Sequence, residues 1–275
     1  MRLLILGGKG MAGHLLTQYF KKKDDFEVFY TSRNVNDQDG IFLDVTQGTE
    51  VEKLIERLKP NITINCTGIL NKQAAEHPLL AFQVNSLLPQ QLVKLTECFN
   101  GKVIQISTDC VFSGQKGDYT EVDKPDGSSI YSQSKQLGEI ISDKHLTIRT
   151  SIIGPELKEA GIGLFLWFMK QKGEVKGYKK ALWNGITTLE LAKAIESMIN
   201  HHVTGLYHLG SQTKISKYDL LKLIQKVYEK EDVIVSADES VIIDRTLKNT
   251  RTDFQYILPS YRDMLTELKE WLRHQ

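Results

Sequence analysis

The sequence predicts an α/β protein: a doubly wound parallel sheet carrying a smaller carboxyl-terminal α/β lobe. Three observations lead there. Short β-rich apolar runs alternate with helical patterns as far as Thr150, a glycine-rich turn follows the first run, and beyond Arg149 the texture changes to longer helices with few strand-like runs. Strands separated by helices form βαβ units, and strands covered on both faces read as nearly continuous apolar segments.

Strands are expected over 2–6, 27–31, 41–43, 62–65, 103–107 and 146–149. Between them, a helix over 11–20 puts Met11, Leu15, Leu16, Tyr19 and Phe20 on one broad face, and Val51, Leu54, Ile55 and Leu58 recur at helical spacing. Pro89 opens a further helix over 90–99, since a proline fits the first turn, where its missing N–H has no partner to lose. Later helices are expected over 162–171, 189–199, 217–228 and 262–273, with strands only at 206–209 and 233–235. The chain therefore divides into 1–151 and 152–275, with some segments of the second part expected to return to the first sheet. Two charge runs, 21–25 and 229–232, read as solvated helix ends.

Composition narrows the function. The 275 residues are 41% hydrophobic and 25% charged, which suits one large domain or two closely joined ones and excludes a disordered chain. With 35 Lys+Arg against 34 Asp+Glu, the net charge of +1 gives no electrostatic case for nucleic acid or an anionic membrane as partner. Cys66, Cys98 and Cys110 are odd in number and widely spaced, with no CxxC pair and no histidine at ligand spacing, so free thiols and no metal site are expected. The apolar start is cut by Gly7-Gly8-Lys9 before reaching the ~7–15 residues of a signal sequence core. The longest apolar stretch, 162–169, falls short of the ~20 residues of a membrane span, and a cytoplasmic location is expected.

Gly7, Gly10 and Gly13 recur at GxxGxxG spacing between the first strand and an amphipathic helix. One glycine can take a positive φ, another lets backbone approach a pyrophosphate, and the last permits close helix–strand packing, while the helix amino terminus offers free N–H groups to phosphate. The plainer reading is a tight βα turn. On the nucleotide reading, 1–151 is a Rossmann-type NAD(P)-binding domain and 152–275 a substrate-binding lobe. The second strand ends in Thr31-Ser32-Arg33 where an acidic residue would hold the ribose of NAD, and a guanidinium with two hydroxyls suits the 2′-phosphate of NADP(H) over NAD(H). An exposed loop arginine is the alternative. Asp44-Val45 is placed to meet the adenine edge, or else to form a turn.

The fifth strand runs into Ser107-Thr108-Asp109-Cys110-Val111-Phe112-Ser113-Gly114, and Tyr131-Ser132-Gln133-Ser134-Lys135 follows 23 positions after Thr108. Four residues apart, Tyr131 and Lys135 share a helix face, and an ammonium beside a phenol lowers its ordinary pKa of about 10. A Thr108 hydroxyl can bond an oxygen on which charge develops. These parts serve carbonyl reduction: hydride passes from nicotinamide to the carbonyl carbon and Tyr131 protonates the oxygen. A YxxxK alone is often a helix start with a surface lysine; only the ordered set is specific.

That ordered set resembles the short-chain dehydrogenase/reductase superfamily in its extended form, and most of all the dTDP-4-dehydrorhamnose reductase family. The likeness covers nearly the whole chain: GGKGMAG, Asn65-Cys66-Thr67-Gly68-Ile69, Val84-Asn85, STDCVFSG, YSQSK and the 149–154 segment. The resemblance implies Thr108, Tyr131 and Lys135 as catalytic residues. It implies cofactor contacts at Gly7, Gly10, Met11, Arg33, Asp44, Val45, Cys66, Thr67, Gly68, Tyr131 and Lys135, and places Asn85 on the substrate side. The activity implied is NAD(P)H-dependent reduction of the 4-keto group of a nucleotide-activated 6-deoxy sugar in polysaccharide precursor synthesis, by an enzyme that is often a homodimer. One departure is local: the family reads STDYVFDG, whereas Cys110 and Ser113 stand here in place of Tyr and Asp. Without a histidine partner, Cys110 is read as a small neighbour of the site rather than a nucleophile. The segment 183–188 is similar to that of reductases acting on UDP-4-keto-6-deoxy-N-acetylhexosamines, the alternative substrate.

In the second lobe, Arg245 or Arg251 is a candidate to clamp the substrate diphosphate, against ordinary loop charges. Trp183 is expected to stack on the nucleobase, against a place in the core. His14 and His208 are read as structural, and His201-His202 as a helix carboxyl-terminal cap. Two rivals remain: an epimerase or dehydratase with tightly held NAD, and a non-catalytic NADP-binding regulatory subunit.

Overall fold

A computed structural model of the chain describes residues 1–158 and 161–275. The first part runs β1 (Arg2–Leu6), α1 (Met11–Lys21), β2 (Glu27–Ser32), β3 (Ile41–Phe42), α2 (Gly48–Leu58), β4 (Ile62–Asn65), α3 (Asn71–Glu76), α4 (Pro78–Phe82), α5 (Leu88–Glu97), β5 (Lys102–Thr108), α6 (Ile130–Leu137) and β6 (Leu146–Thr150). The second continues with β7 (Ile152–Ile153), α7 (Leu164–Lys170), β8 (Gly173–Tyr178), β9 (Ala181–Trp183), β10 (Ile186–Thr187), α8 (Thr188–Asn200), β11 (Gly205–Leu209), β12 (Ile215–Ser216), α9 (Lys217–Tyr228), β13 (Val233–Asp238), β14 (Ile243–Asp244) and α10 (Tyr261–Arg273).

Seven strands form one parallel sheet in the order β11-β6-β5-β4-β1-β2-β3. From β1 the chain moves outward through β2 and β3, then crosses back to β4 and proceeds the other way. The switch point therefore lies between β1 and β4, where an open α/β sheet leaves a crevice at its strands' carboxyl ends. Alternation along β1 fills both faces. Leu3 and Ile5 pack with Leu15, Leu16 and Phe20 of α1 and with Ile195 and Met198 of α8. Leu4 and Leu6 pack with Val51 and Ile55 of α2 and Leu88 and Leu92 of α5.

The edge strand β11 comes from the second part of the chain and pairs with β6, Gly205 opposite Leu146. The division at 151 is therefore not a division into two sequence-contiguous units. What remains of the second part is a small lobe of α7, α9 and α10 around Phe168, Val175, Trp183 and Leu220, with β8 and β13 as a parallel pair. The sequence under-reads β8 because in GEVKGY only Val175 and Gly177 face inward. The helix expected at 90–99 begins earlier. Pro78 opens α4, a π-helical turn spans Gln83–Leu87, and Pro89 sits in the first turn of α5. No helix among the described residues is long and apolar enough to cross a membrane.

Candidate active site

At the switch point, Gly7 adopts φ +77°, and its carbonyl accepts from Gly10 N at 2.9 Å. A Cβ on Gly13 would lie 2.2 Å from that carbonyl oxygen, so only glycine lets α1 sit this close to β1. No side chain caps α1 and its first turn holds no acid, which leaves its N–H groups and positive end directed at the crevice. Thr31 Oγ1 accepts from Gly7 N at 3.1 Å and braces the loop from β2.

A cavity of about 240 Å³ opens here. Of the candidate cofactor residues, it brings together Gly7, Gly10, Arg33, Asp44, Val45, Cys66, Thr67 and Gly68, with Met11 following Gly10 as the first residue of α1. Arg33 is exposed on a turn opened by the Ser32 hydroxyl, which accepts from Asn34 N at 3.0 Å. Asp44 also braces its own turn: its carboxylate accepts from the Thr46 amide and hydroxyl at 3.0 and 2.8 Å, bonds that hold its pKa low. Two cations that sequence reasoning missed line the same cavity, Lys158 and Lys9, the latter paired with Asp37 at 3.3 Å. Lys9 lay within the glycine motif; Lys158 had no local signal. These features fit a dinucleotide: a cradle that a side chain would fill, a helix amino terminus for pyrophosphate, and cations at the ribose end.

The loop after β4 is fixed from below. Asn65 Oδ1 accepts from the Thr67 amide and hydroxyl at 3.1 and 2.6 Å. Asn85 bonds both the N–H and the carbonyl of Ile69, at 2.8 and 3.0 Å, and donates to Ser134 Oγ at 2.9 Å. It is 1% exposed with its amide committed, so it ties the loop to α6 and presents nothing to a substrate, contrary to expectation.

Next along the sheet, Thr108 ends β5 and its hydroxyl accepts from Cys110 N at 3.1 Å, capping the short turn Asp109–Val111. Ser129 caps α6 in the same way, accepting from Ser132 N at 3.1 Å, and α6 brings Tyr131 and Lys135 against β5. Burial pushes the Tyr131 phenol above its ordinary pKa; Cys110 adds to this and bonding with Thr108 opposes it. Lys135 Nζ donates to the Ile106 carbonyl at 2.6 Å, and burial lowers its pKa to about 8. The expectation that Lys135 depresses the phenol is therefore not met: the ammonium is drawn to β5, and desolvation of the phenol dominates.

The second lobe closes over this turn. Arg245 Nη1 lies 3.7 Å from Cys110 Sγ, and its buried Nε has no hydrogen-bond partner among the described residues. Burial raises the Cys110 thiol to about 12, keeping it protonated. Ser113, which replaces the acid of the resembled motif, is bonded through its amide and hydroxyl to Asp126 at 2.7 and 2.6 Å.

Two other candidates lie elsewhere. Trp183 is 3% exposed, donates to Ser151 Oγ at 2.8 Å and packs in the lobe core, so it has no free face for a base. Arg251 sheathes the outer edge of β11: it bonds the Thr204 and Leu206 carbonyls and pairs with Asp253. Asn249 donates to the His208 carbonyl at 3.0 Å and Glu121 accepts from His208 N at 3.1 Å, completing the cover of an edge that would otherwise present unpaired backbone. A larger cavity of about 390 Å³ runs along this edge, lined by Tyr207, Arg251 and Tyr256, and holds none of the candidate catalytic side chains. His14 bonds the Gly10 carbonyl and His201 the Ser197 carbonyl, both local backbone contacts.

Fold and site together define an NAD(P)-dependent oxidoreductase of Rossmann type. The chain belongs to the family described as the RmlD substrate binding domain, whose model matches residues 1–263. It is 27% identical to a dTDP-4-dehydrorhamnose reductase of Aggregatibacter actinomycetemcomitans over 265 residues, 89% of this chain and 88% of that protein. A solved dTDP-4-dehydrorhamnose reductase of Clostridium acetobutylicum superposes with TM-score 0.81 at 25% identity, covering 99% of this chain and all of that one. A Bacillus anthracis reductase of the same name, solved in complex with NADP, also gives 0.81, at 20% identity over 98% of this chain and 99% of its own.

Proposed function

We propose that the protein reduces the 4-keto group of a nucleotide-activated 6-deoxy sugar, with NADPH preferred to NADH, as a step in making polysaccharide precursors. The observation that carries this reading is the meeting of Thr108 and Tyr131 at the carboxyl end of β5, beside the glycine-loop crevice. Relatives whose names specify this reaction support it.

The amino terminus of α1, with Gly7 and Gly10, holds the pyrophosphate, and Arg33 holds the 2′-phosphate. The bound cofactor supplies a hydride. Thr108 donates a hydrogen bond to the substrate oxygen, and Tyr131, fully protonated because its phenol is buried, delivers a proton to that oxygen as it becomes an alkoxide. Lys135 positions α6 against the Ile106 carbonyl, and Asn85 fixes the loop over which the substrate lies. Arg245 is the substrate residue this reading keeps; Trp183 and Arg251 act as core and edge. A second reading, a UDP-4-keto-6-deoxy-N-acetylhexosamine as substrate, is favoured by Cys110, a smaller side chain than the tyrosine of the resembled motif. The reading places a homodimeric enzyme in the cytoplasm.

The test is a panel of dTDP- and UDP-4-keto sugars with NADPH and NADH side by side. Net NADPH oxidation with at least one 4-keto sugar is expected. Cofactor consumption that returns to zero net change would point to an epimerase or dehydratase, and binding without turnover to a regulatory subunit.

A further inference from the structure

Two cations from the second lobe converge on the turn that follows Thr108. Arg245 follows β14 and reaches Cys110, with its buried Nε unpartnered. Lys217 is the first residue of α9, set there by Ser216, whose hydroxyl accepts from Asp219 N at 3.0 Å. Its half-buried ammonium lies 5.1 Å from the centre of the Trp183 ring and has no hydrogen bond or ion pair with any described residue. The titratable groups facing it are the Asp109 carboxyl and the neutral Cys110 thiol of the catalytic turn, and Arg245 acts on the same two residues. Two donors left without acceptors on one side of one turn are costly unless something completes them. Asp109, a single carboxylate shared between two cations, leaves net positive charge.

We propose that Lys217 is a specificity-determining residue: with Arg245 it forms a two-cation recess that takes the diphosphate of the nucleotide sugar. This rests on the reductase reading for its substrate class. The ligand chemistry follows from the donors, since a diphosphate offers several oxygens to two separated cations and would satisfy both. Trp183, read from sequence as a base-stacking residue, instead supports the Lys217 ammonium from below with its ring face.

Titrating dTDP and thymidine into the protein by calorimetry tests this without turnover. The wild type should bind dTDP at least ~10-fold more tightly than thymidine, and Lys217→Met, which keeps the aliphatic stem over Trp183, should lose ~10–100-fold in dTDP affinity. Thymidine and NADPH binding should be unchanged, the latter serving as the check that the variant folds. Because burial lowers the Lys217 pKa to about 8, wild-type dTDP affinity should fall between pH 7 and 9, and Lys217→Arg should flatten that fall. Equal dTDP affinity in Lys217→Met, equal wild-type binding of dTDP and thymidine, or a pH profile unchanged in Lys217→Arg overturns the proposal. Reductase turnover is scored separately. Wild-type turnover with an unmoved KM in Lys217→Met sinks Lys217 alone, and loss of dTDP affinity without any turnover sinks the reductase reading alone.

Discussion

Arg149 and Glu139 form a bidentate ion pair, Nε to Oε1 at 2.8 Å and Nη2 to Oε2 at 2.7 Å, with side chains only 3% and 4% exposed. Glu139 follows α6 and Arg149 lies in β6, and the same Oε1 accepts from the Ser107 hydroxyl at 2.7 Å. One carboxylate thus links the helix bearing Tyr131 to the strand bearing Thr108. Removing one member leaves the other buried and unpaired, so Glu139→Gln should cost about 3–5 kcal/mol in denaturant unfolding. A double replacement by apolar residues of similar volume should recover most of that stability while leaving the site less well ordered. A loss in Glu139→Gln below about 1 kcal/mol, the range of an exposed pair, would contradict this.

The proposed function makes Arg33, which lines the glycine-loop cavity, the residue on which cofactor choice turns. Arg33→Ala should weaken NADPH by roughly 10–100-fold, the loss of a charged hydrogen-bonded contact, and leave NADH within about twofold. Fluorescence titration of both cofactors reads the difference, and equal weakening of both would show that Arg33 acts elsewhere than on the 2′-phosphate.

Gly13 tests the cradle. In Gly13→Ala the new methyl meets backbone, the Gly7 carbonyl oxygen, and no side chain can yield to it. A cost of ~1–3 kcal/mol in stability is expected, with a loss of cofactor affinity as α1 and the glycine loop move apart. Unchanged NADPH affinity would mean that loop and helix are not coupled as described.

The glycine cradle and Thr108 were legible as strand-end patterns, and Tyr131 and Lys135 as a pair sharing one face of α6. The edge strand β11 was legible as a strand and a return of part of the second half to the first sheet was expected, but which segment returns is decided by α8 packing on α1, a contact far apart in sequence. Trp183 and Arg251 show the limit differently. An indole and a guanidinium suit a nucleotide equally as they suit a core or a strand edge, and only the Ser151 hydroxyl and the Thr204 and Leu206 carbonyls decide the matter. Lys217 escaped notice because a lysine beginning a helix looks like a solvated end until Trp183 and Asp109 are brought beside it. The direction of the Tyr131 shift was misjudged since spacing shows that two groups share a face but not how much water each loses.

His208 supplies a pH test. Burial holds its pKa well below the ordinary histidine value, with Arg149 nearby adding to this and Glu121 opposing it; its Nε2 lies 3.2 Å from Arg149 Nη1. The unfolded chain therefore takes up a proton at higher pH than the folded one. This contribution to stability is complete above the unfolded pKa of about 6.5 and is lost as pH falls from there toward the folded value. Unfolding free energy should decline on acidification through this window, and His208→Asn should flatten the decline. A slope that is the same in the variant would remove His208 from the account.

The central claim is that Tyr131 delivers the proton in a carbonyl reduction. Its most direct measurement is the rate of NADPH oxidation with dTDP-4-dehydrorhamnose in wild type and Tyr131→Phe, with NADPH affinity determined on both. Wild-type turnover is predicted, with a loss of ~10²–10⁴ in kcat for the variant and cofactor affinity within about twofold. Full turnover in Tyr131→Phe, or none in the wild type with this or any other 4-keto sugar of the panel, would contradict it.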